Sequence, residues 1–233
     1  AEKGIRFIAG DAAIAIDRSR KQVHTGKGEV VAYDRLILAT GSKPFVPPIP
    51  GTELEGVISF RDIQDVNRML DYCKTKQNAV VIGGGLLGLE AAYGLKQQGM
   101  NVTVLHLMDR IMDRQLDMKA SQMLKKSIED KGIRIITEAN TEELLGIDGH
   151  VTQLRLKDGT MLDADLVVFA IGIRPNKTLA EKAGLRCNRG VLVNDTMQTY
   201  DPSIYAVGEC IEHRGQTFGL VEPLWGQAFI CAT

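Results

Sequence analysis

Three glycines at the spacing Gly-x-Gly-x-x-Gly form the part of this chain whose chemistry is most clearly defined. They are Gly83, Gly85 and Gly88, and they directly follow the apolar residues 80–82. Gly83 permits a tight turn off a strand, Gly85 lets the backbone approach a pyrophosphate closely, and Gly88 lets a helix pack on the strand. The spacing therefore predicts a loop that binds the phosphates of a dinucleotide.

The segments around this loop predict the elements that position it. The apolar run 80–82 is typical of a strand, a helix-forming run then ends near Gly99, and residues 102–106 are typical of a second strand. Leu86 and Leu87 lie between the second and third glycines, where the helix N-terminus directs unpaired N–H groups toward an anion. We interpret the whole as a βαβ unit that binds a dinucleotide; the alternative is a glycine-rich turn with only a structural role.

The residue at the end of the second strand bears on which nicotinamide nucleotide fits. An Asp or Glu about 20 residues beyond the glycine loop commonly binds the ribose 2′-hydroxyl. This chain has His106 there, followed by Arg110 and Arg114. Because histidine does not repel a 2′-phosphate and arginine attracts one, we expect NADPH to bind at least as well as NADH. The alternative is that His106 only ends the strand and both arginines are solvated.

Composition excludes several other classes of protein. Among 233 residues, 28 Lys and Arg nearly balance 29 Asp and Glu, so we expect no partner that is a nucleic acid or a membrane surface. No run is long enough for a membrane span and no secretory signal opens the sequence, so we expect a cytoplasmic location. The cysteines lack C-x-x-C spacing, which indicates reduced thiols and no metal site; they are Cys73, Cys187, Cys210 and Cys231.

Strand and helix patterns alternate along much of the chain, which predicts an α/β fold. A proline-rich connection covers residues 44–51, and no internal repeat is present. Further strands are predicted at residues 5–8, 13–16, 22–24, 29–31, 36–39, 133–136, 151–156, 165–171, 191–193 and 204–207. Further helices are predicted at residues 61–74, 118–130 and 223–232.

Three more short motifs each close a predicted strand with glycine: Ala39-Thr40-Gly41, Ala170-Ile171-Gly172 and Gly208-Glu209. Taken singly, each is an ordinary transition from strand to turn. Together with the glycine loop, their order resembles the flavoproteins with two dinucleotide-binding domains, the pyridine nucleotide–disulfide oxidoreductase fold. The resemblance covers nearly the whole chain.

This resemblance implies one domain inserted in another. It implies a Rossmann-like NAD(P)H-binding domain at residues 59–184, with a βαβ unit and a β-hairpin or meander insert. The flanking residues, 1–58 and 185–233, would form an incomplete FAD-binding domain. In such proteins Thr40 with Gly41, and Gly172, would lie where the chain crosses between the domains.

The resemblance also implies roles for individual side chains. Gly208-Glu209 matches the family's Gly-Asp, which would direct Glu209 to the ribityl hydroxyls of FAD, although its side chain is one methylene longer. Glu90 would approach the nicotinamide; the alternative is an ordinary carboxylate favoured by the helix dipole. Lys43 would contact the flavin phosphate or ring edge, unless it is simply solvated.

Within the family, the motifs are most similar to the large subunit of NAD(P)H-dependent nitrite reductases and their assimilatory relatives. The matching stretches are residues 33–42, 83–92, 114–117, 199–210 and 218–221. The implied activity is hydride transfer from NAD(P)H to FAD, followed by passage of electrons to a downstream acceptor such as a siroheme and iron–sulfur centre. The alternatives are a rubredoxin or ferredoxin reductase, a nucleotide-responsive binding module without turnover, and a simple Rossmann dehydrogenase.

A second glycine loop, which the family uses for the FAD pyrophosphate, has no counterpart in this sequence. The chain also begins without Met and ends within a predicted helix, which suggests a fragment of a longer flavoprotein. We therefore expect the parent protein to bind both NAD(P)H and FAD. The isolated fragment is expected to be inactive and to bind FAD weakly or not at all.

Overall fold

A computed structural model describes residues 4–233, which form two compact units. The continuous unit is Pro44–Gly172, and the discontinuous unit combines the chain up to Lys43 with Ile173–Thr233. These divisions fall at other residues than the predicted domain boundaries after residues 58 and 184. Residues 1–3 of the predicted FAD-binding domain lie outside the described residues. The assignment of one unit to FAD and the other to NAD(P)H stays a prediction.

The strands, in chain order, are β1 (Ala13–Asp17), β2 (Gln22–Thr25), β3 (Val30–Ala32), β4 (Leu36–Leu38), β5 (Ser42–Pro44), β6 (Val57–Ser59), β7 (Asn78–Ile82), β8 (Asn101–Leu105), β9 (Ile133–Ile136), β10 (Thr141–Ile147), β11 (His150–Leu156), β12 (Met161–Asp163), β13 (Leu166–Phe169), β14 (Ile173–Pro175), β15 (Val191–Val193), β16 (Ile204–Ala206), β17 (Ile211–His213) and β18 (Gln216–Thr217). The helices are α1 (Ile63–Cys73), α2 (Leu86–Gln97), α3 (Met118–Glu129), α4 (Thr178–Lys182) and α5 (Val221–Ala232).

A five-stranded parallel sheet, in the order β6-β13-β7-β8-β9, organises the continuous unit. The successive residues Val80 and Val81 of β7 are both buried, as expected for a parallel sheet covered on both faces. Strand order reverses at β7, because β8 and β9 lie on one side of it and β13 on the other. Such a reversal opens a crevice at the carboxyl ends of the strands, where ligands bind in α/β folds.

The predicted hairpin insert is an antiparallel sheet in the order β10-β11-β12. Its residue Leu154 is fully buried in a cluster that also contains Val167 and Phe169 of β13. The insert therefore shares a core with one face of the parallel sheet. The α/β fold predicted from the sequence, with a βαβ unit and a β-hairpin insert, is confirmed.

Two short three-stranded sheets and one parallel pair of strands make up much of the discontinuous unit. The sheets run β1-β2-β3 and β15-β17-β18, and β4 pairs in parallel with β16. Leu38 and Ile204 from this pair lie in one buried cluster with Ile211. The Arg18 guanidinium also contacts the Asp201 carboxylate, with Nε to Oδ2 at 2.7 Å. Segments distant in sequence are thus joined by both apolar and ionic contacts.

Some predicted elements differ from the structure. Residues 5–8 are irregular rather than a strand, and Phe7 is 86% exposed. Their apolar alternation imitates a strand, but backbone pairing begins only at Ala13, in β1. The last helix starts two residues earlier than predicted, at Val221, and β13 ends at Phe169. Among the helices of residues 4–233, none has the length and apolar character needed to cross a membrane.

Candidate functional site

The glycine loop follows β7 at the point where strand order reverses. Gly83 has φ +127°, a conformation that favours glycine, and its N–H donates to the Leu105 carbonyl at 2.8 Å. A Cβ on Gly83 would come within 2.3 Å of the Ala170 carbonyl oxygen, which follows β13. The loop is therefore held between the ends of two neighbouring strands, and a side chain at Gly83 would separate them.

The other two glycines serve different purposes. A Cβ on Gly88 would lie 1.8 Å from the Gly83 carbonyl oxygen, so α2 packs directly on the loop. A Cβ on Gly85 would meet nothing within 4 Å, and its φ of −90° is open to any residue. Gly85 therefore keeps space free in front of the helix. As N-cap of α2 it makes no side-chain hydrogen bond, while Leu86 and Leu87 are exposed. This open helix N-terminus suits a phosphate.

His106 follows the last residue of β8 and turns toward the loop. Its Nδ1 accepts a hydrogen bond from the Gly84 N–H at 3.1 Å, and its Nε2 lies 3.1 Å from Asp113 Oδ1. A Cβ on Gly84 would come within 2.9 Å of His106 Cγ, so the ring packs against the loop itself. Sequence reasoning identified the position of His106 but missed both of its partners, Gly84 and Asp113.

The two arginines after His106 differ in their surroundings. The Arg110 guanidinium bonds within its own segment, to Asp109 Oδ1 at 3.1 Å and to the carbonyls of Asp113 at 3.3 Å and Leu116 at 3.4 Å. Arg114 is exposed. Of these two arginines, Arg114 is therefore the one without such bonds among residues 4–233.

Glu90 lies on α2 at the edge of a pocket of about 180 Å³ between α1 and α2. Apolar side chains line much of this pocket, among them Phe60, Met69 and Leu95. The Glu90 side chain is exposed, and it stands two residues beyond Gly88 on the helix that begins at the glycine loop. The structure thus places it beside an apolar recess in the same unit as the loop.

In the discontinuous unit, Thr40 and Gly41 are paired with Asn176. Thr40 Oγ1 donates to the Asn176 carbonyl at 2.6 Å, and Asn176 Nδ2 donates to the Thr40 carbonyl at 3.2 Å. The Asn176 N–H also donates to the Gly41 carbonyl at 2.9 Å. Sequence reasoning gave no role to Asn176, which lies four residues beyond the Ala170-Ile171-Gly172 motif. In the continuous unit, the Gly172 carbonyl accepts from the Phe45 N–H at 2.9 Å.

Gly208 and Glu209 form a short 3-10 helix with Cys210, directly after β16. Gly208 has φ +90°, and its N–H donates to Gln227 Oε1 on α5 at 2.7 Å. The Glu209 carboxylate accepts from Ser42 Oγ at 2.9 Å. Sequence reasoning gave no role to Ser42, although it ends the matching stretch 33–42, or to Gln227, which belongs to no motif.

The predicted residues therefore separate into two groups. The continuous unit holds Glu90, Gly172, the glycine loop with Leu86 and Leu87, and the segment from His106 to Arg114. The discontinuous unit holds Thr40, Gly41, Gly208, Glu209 and the exposed Lys43. Within residues 4–233, no cluster of three His, Cys, Asp or Glu side chains has metal-binding geometry.

Comparison with known proteins identifies the family that this arrangement represents. The sequence matches the family described as pyridine nucleotide-disulphide oxidoreductase over residues 1–223. The chain belongs to this family. The resemblance described from the motifs is thereby confirmed.

Relatives of this pyridine nucleotide-disulphide oxidoreductase include two proteins of Bacillus subtilis strain 168. One, nitrite reductase [NAD(P)H], is 51% identical over 99% of the chain, and the chain spans 29% of its length. The other, an assimilatory nitrate reductase electron transfer subunit, is 46% identical over 96% of the chain, which again spans 29% of its length. The chain thus corresponds to less than a third of each relative.

A solved structure supports the same fold. A ferredoxin reductase from Rhodopseudomonas palustris is 31% identical, with a TM-score of 0.87 over 94% of this chain and 55% of that chain. Among residues 4–233 all four cysteines are free thiols, and burial raises the pKa of the Cys187 thiol to about 11.

Proposed function

We propose that this chain is part of an FAD-dependent oxidoreductase that takes hydride from NAD(P)H and passes electrons to a nitrite reductase siroheme and iron–sulfur centre. The observation that carries the proposal is the glycine loop, because its open helix N-terminus lies at the strand reversal of a parallel sheet. The name of one Bacillus relative, nitrite reductase [NAD(P)H], supports nitrite as the terminal substrate class.

The NAD(P)H site is assigned to the continuous unit. Gly85 leaves the space that a pyrophosphate needs, and the backbone N–H groups at Leu86 and Leu87 would bind its oxygens. Gly83 and Gly88 have no room for side chains, so their task is to hold α2 against the strands. The free space at Gly85 and the close packing at Gly83 and Gly88 support the assignment of this loop to the pyrophosphate.

Glu90 is assigned to the nicotinamide end of this site. It lies on the helix that begins at the loop, beside an apolar recess. A carboxylate at such a recess can accept a hydrogen bond from the carboxamide, while apolar walls exclude water from the ring. Its role is to orient the ring, because hydride transfer itself needs no protein acid or base.

The discontinuous unit is assigned to FAD through Thr40, Gly41, Lys43, Gly208 and Glu209. A Cβ on Gly208 or Gly41 would meet nothing within 4 Å, which is consistent with space for a ligand beside both. Glu209 would accept a hydrogen bond from a ribityl hydroxyl, and Ser42 would hold its carboxylate in place. When bound, the flavin supplies the acceptor for hydride and the donor of electrons.

The fit to FAD is partial, because the sequence contains one glycine loop and that loop is assigned to NAD(P)H. We therefore expect the 233-residue chain to retain little flavin. A visible spectrum of the purified chain tests this expectation. Flavin absorbance near one equivalent per chain would overturn it.

The proposed partners are nucleotide cofactors and a downstream electron-acceptor domain or protein. A ferredoxin or rubredoxin reductase is the alternative, favoured by the similarity to the Rhodopseudomonas ferredoxin reductase. The two are distinguished by supplying the native gene product with NAD(P)H and either nitrite or an oxidised ferredoxin as the electron acceptor. Nitrite-dependent oxidation of NAD(P)H supports the proposal, and ferredoxin-dependent oxidation alone supports the alternative.

A binding module without turnover is the remaining candidate. Ferricyanide accepts electrons from reduced flavoproteins whatever their natural partner is. We therefore expect the flavin-loaded native gene product to reduce ferricyanide with NAD(P)H. Nucleotide binding without any ferricyanide reduction would overturn the proposed oxidoreductase function.

A further inference from the structure

The His106 ring is held in one tautomer by the glycine loop. Its Nδ1 accepts from the Gly84 N–H, so the ring proton resides on Nε2, which donates to Asp113. A ring that accepts at one nitrogen and donates at the other is neutral. The side chain is also 13% exposed, so most of the ring is withdrawn from solvent. His106 therefore offers no positive charge to a 2′-phosphate.

Asp113 is drawn to the same edge of the glycine loop by two contacts. Its Oδ1 bonds to His106, and the N–H of its neighbour Met112 donates to the Gly84 carbonyl at 2.9 Å. Gly84 thus bonds the returning segment through its carbonyl and His106 through its N–H. These bonds bring a carboxylate beside the second residue of the Gly-x-Gly-x-x-Gly motif, although it lies seven residues beyond the end-of-strand position.

Asp113 places a carboxylate at this edge of the loop, and the exposed Arg114 follows it in the sequence. The Arg110 guanidinium is pulled into its own segment by the Asp109 carboxylate and two backbone carbonyls. Among residues 4–233, Asp113 Oδ2 has no hydrogen-bond partner, and the side chain is 26% exposed. A carboxylate oxygen is therefore left to accept a hydroxyl, whereas a phosphate dianion there would meet like charge.

We propose that Asp113 is the specificity-determining acceptor for the ribose 2′-hydroxyl and that His106 positions it. The site then prefers NADH to NADPH, which is the reverse of the preference expected from residue types alone. This inference rests on the proposed nicotinamide-nucleotide site. It differs from the usual arrangement, in which the acidic residue itself ends the second strand.

Calorimetric titration of the 233-residue chain with NADH and with NADPH tests the preference. We expect NADH to bind at least tenfold more tightly. Equal affinity, or tighter binding of NADPH, would overturn this inference and leave the nucleotide site standing. Failure of both nucleotides to bind a chain with a folded circular dichroism spectrum would instead overturn the proposed site.

Two variants, each with one aspartate replaced by asparagine, distinguish a specific contact made by Asp113 from a general effect of negative charge on nucleotide binding. Asp113→Asn is expected to weaken the binding of NADH. The NADPH dissociation constant divided by the NADH dissociation constant is expected to fall at least threefold. Asp148→Asn removes an exposed carboxylate that lies outside this segment and is expected to leave the ratio unchanged. If both variants change the ratio equally, Asp113 has no specific role.

His106→Phe provides a separate test of positioning. It keeps a ring against Gly84 but removes both nitrogens, so Asp113 loses its Nε2 donor. The variant is expected to lower the same ratio of NADPH to NADH dissociation constants while both nucleotides still bind. An unchanged ratio would overturn the positioning role of His106.

Discussion

The Gly83 carbonyl oxygen lies against Gly88 so closely that a Cβ on Gly88 would be 1.8 Å away from it. Ordinary contacts of a Cβ are longer than 3 Å, so only a hydrogen atom fits there. Helix α2 therefore packs directly on the backbone of the glycine loop that precedes it. Because of this contact, the open end of α2 keeps a fixed distance from the ends of the strands.

Replacing Gly88 should disturb both stability and binding. Gly88→Ala pushes α2 away from Gly83, and overpacking of this kind costs about 1–3 kcal/mol of unfolding free energy. We also expect NADH affinity to fall at least tenfold. Chemical denaturation and calorimetric titration measure the two effects.

Gly94 provides the matched control on the same helix. A Cβ there meets nothing within 4 Å, so Gly94→Ala is expected to stabilise the chain by up to about 1 kcal/mol. Because Gly94 also lines the pocket beside Glu90, this control compares the unfolding free energy and not the NADH affinity. Similar losses in both variants would show that the Gly83–Gly88 contact is not the cause.

Glu90→Gln should affect only the nicotinamide end of the nucleotide. An amide is a weaker acceptor than a carboxylate for a carboxamide N–H, so we expect NADH affinity to fall by roughly threefold to tenfold. ADP-ribose lacks nicotinamide, and its affinity should be unchanged. Calorimetric titration of both ligands is the measurement; equal loss for the two would exclude the nicotinamide role.

The Glu212 carboxylate makes the stability of the discontinuous unit depend on pH. Burial raises the pKa of this carboxyl, but hydrogen bonds from Asn188 Nδ2 and the N–H groups of Arg189 and Gly190 lower it more, so its net pKa is below the ordinary value. Because the folded pKa is the lower one, the stabilisation is full above the unfolded pKa of about 4.3 and is lost as pH falls through the folded pKa.

Glu212→Gln should therefore lower the unfolding free energy at pH 7 by about 1–3 kcal/mol, since it leaves buried N–H donors poorly paired. It should also flatten the decline of stability below about pH 4.3. Urea denaturation across pH measures both. Glu222→Gln, at an exposed carboxylate, is the control and should stay within about 0.5 kcal/mol. A variant of Glu212 as stable as this control would contradict the assignment.

The Cys187 thiol should react slowly with alkylating reagents in the folded chain. Burial, and then the charge of Glu181, raise its pKa to about 11, so little thiolate forms at pH 8. We expect iodoacetamide to modify it on the order of a hundredfold more slowly than in urea, where the pKa is about 8.5. Peptide mass spectrometry resolves this site from the other cysteines. Equal rates in folded and unfolded chains would contradict the prediction.

The parts of the site that were predictable from sequence are those set by short-range backbone geometry. Gly83, Gly85 and Gly88 lie within six consecutive residues, and their spacing alone predicts a strand, a turn and a helix start. The pairing of Thr40 with Asn176 spans 136 residues, and that of Ser42 with Glu209 spans 167 residues. No periodicity encodes such contacts, because they depend on which strands become neighbours.

The surroundings of His106 show a second limit. Its position at the end of β8 was predictable, but its ring orientation depends on a returning segment that brings Asp113 to it. Residues 5–8 show the opposite case, in which a strand-like pattern finds no partner strand among residues 4–233. A sequence pattern shows that a segment is able to form a strand, but the tertiary structure determines whether a partner strand lies beside it.

The arrangement of the two units has a consequence for the order of events during synthesis. Every strand of the five-stranded sheet lies within Pro44–Gly172, so all residues of this sheet are synthesised before Ile173 is added. Strand β4, in contrast, has emerged much earlier and must wait for β16, whose residues begin at Ile204. Because all of its strands are synthesised first, the continuous unit can fold before the discontinuous unit is complete.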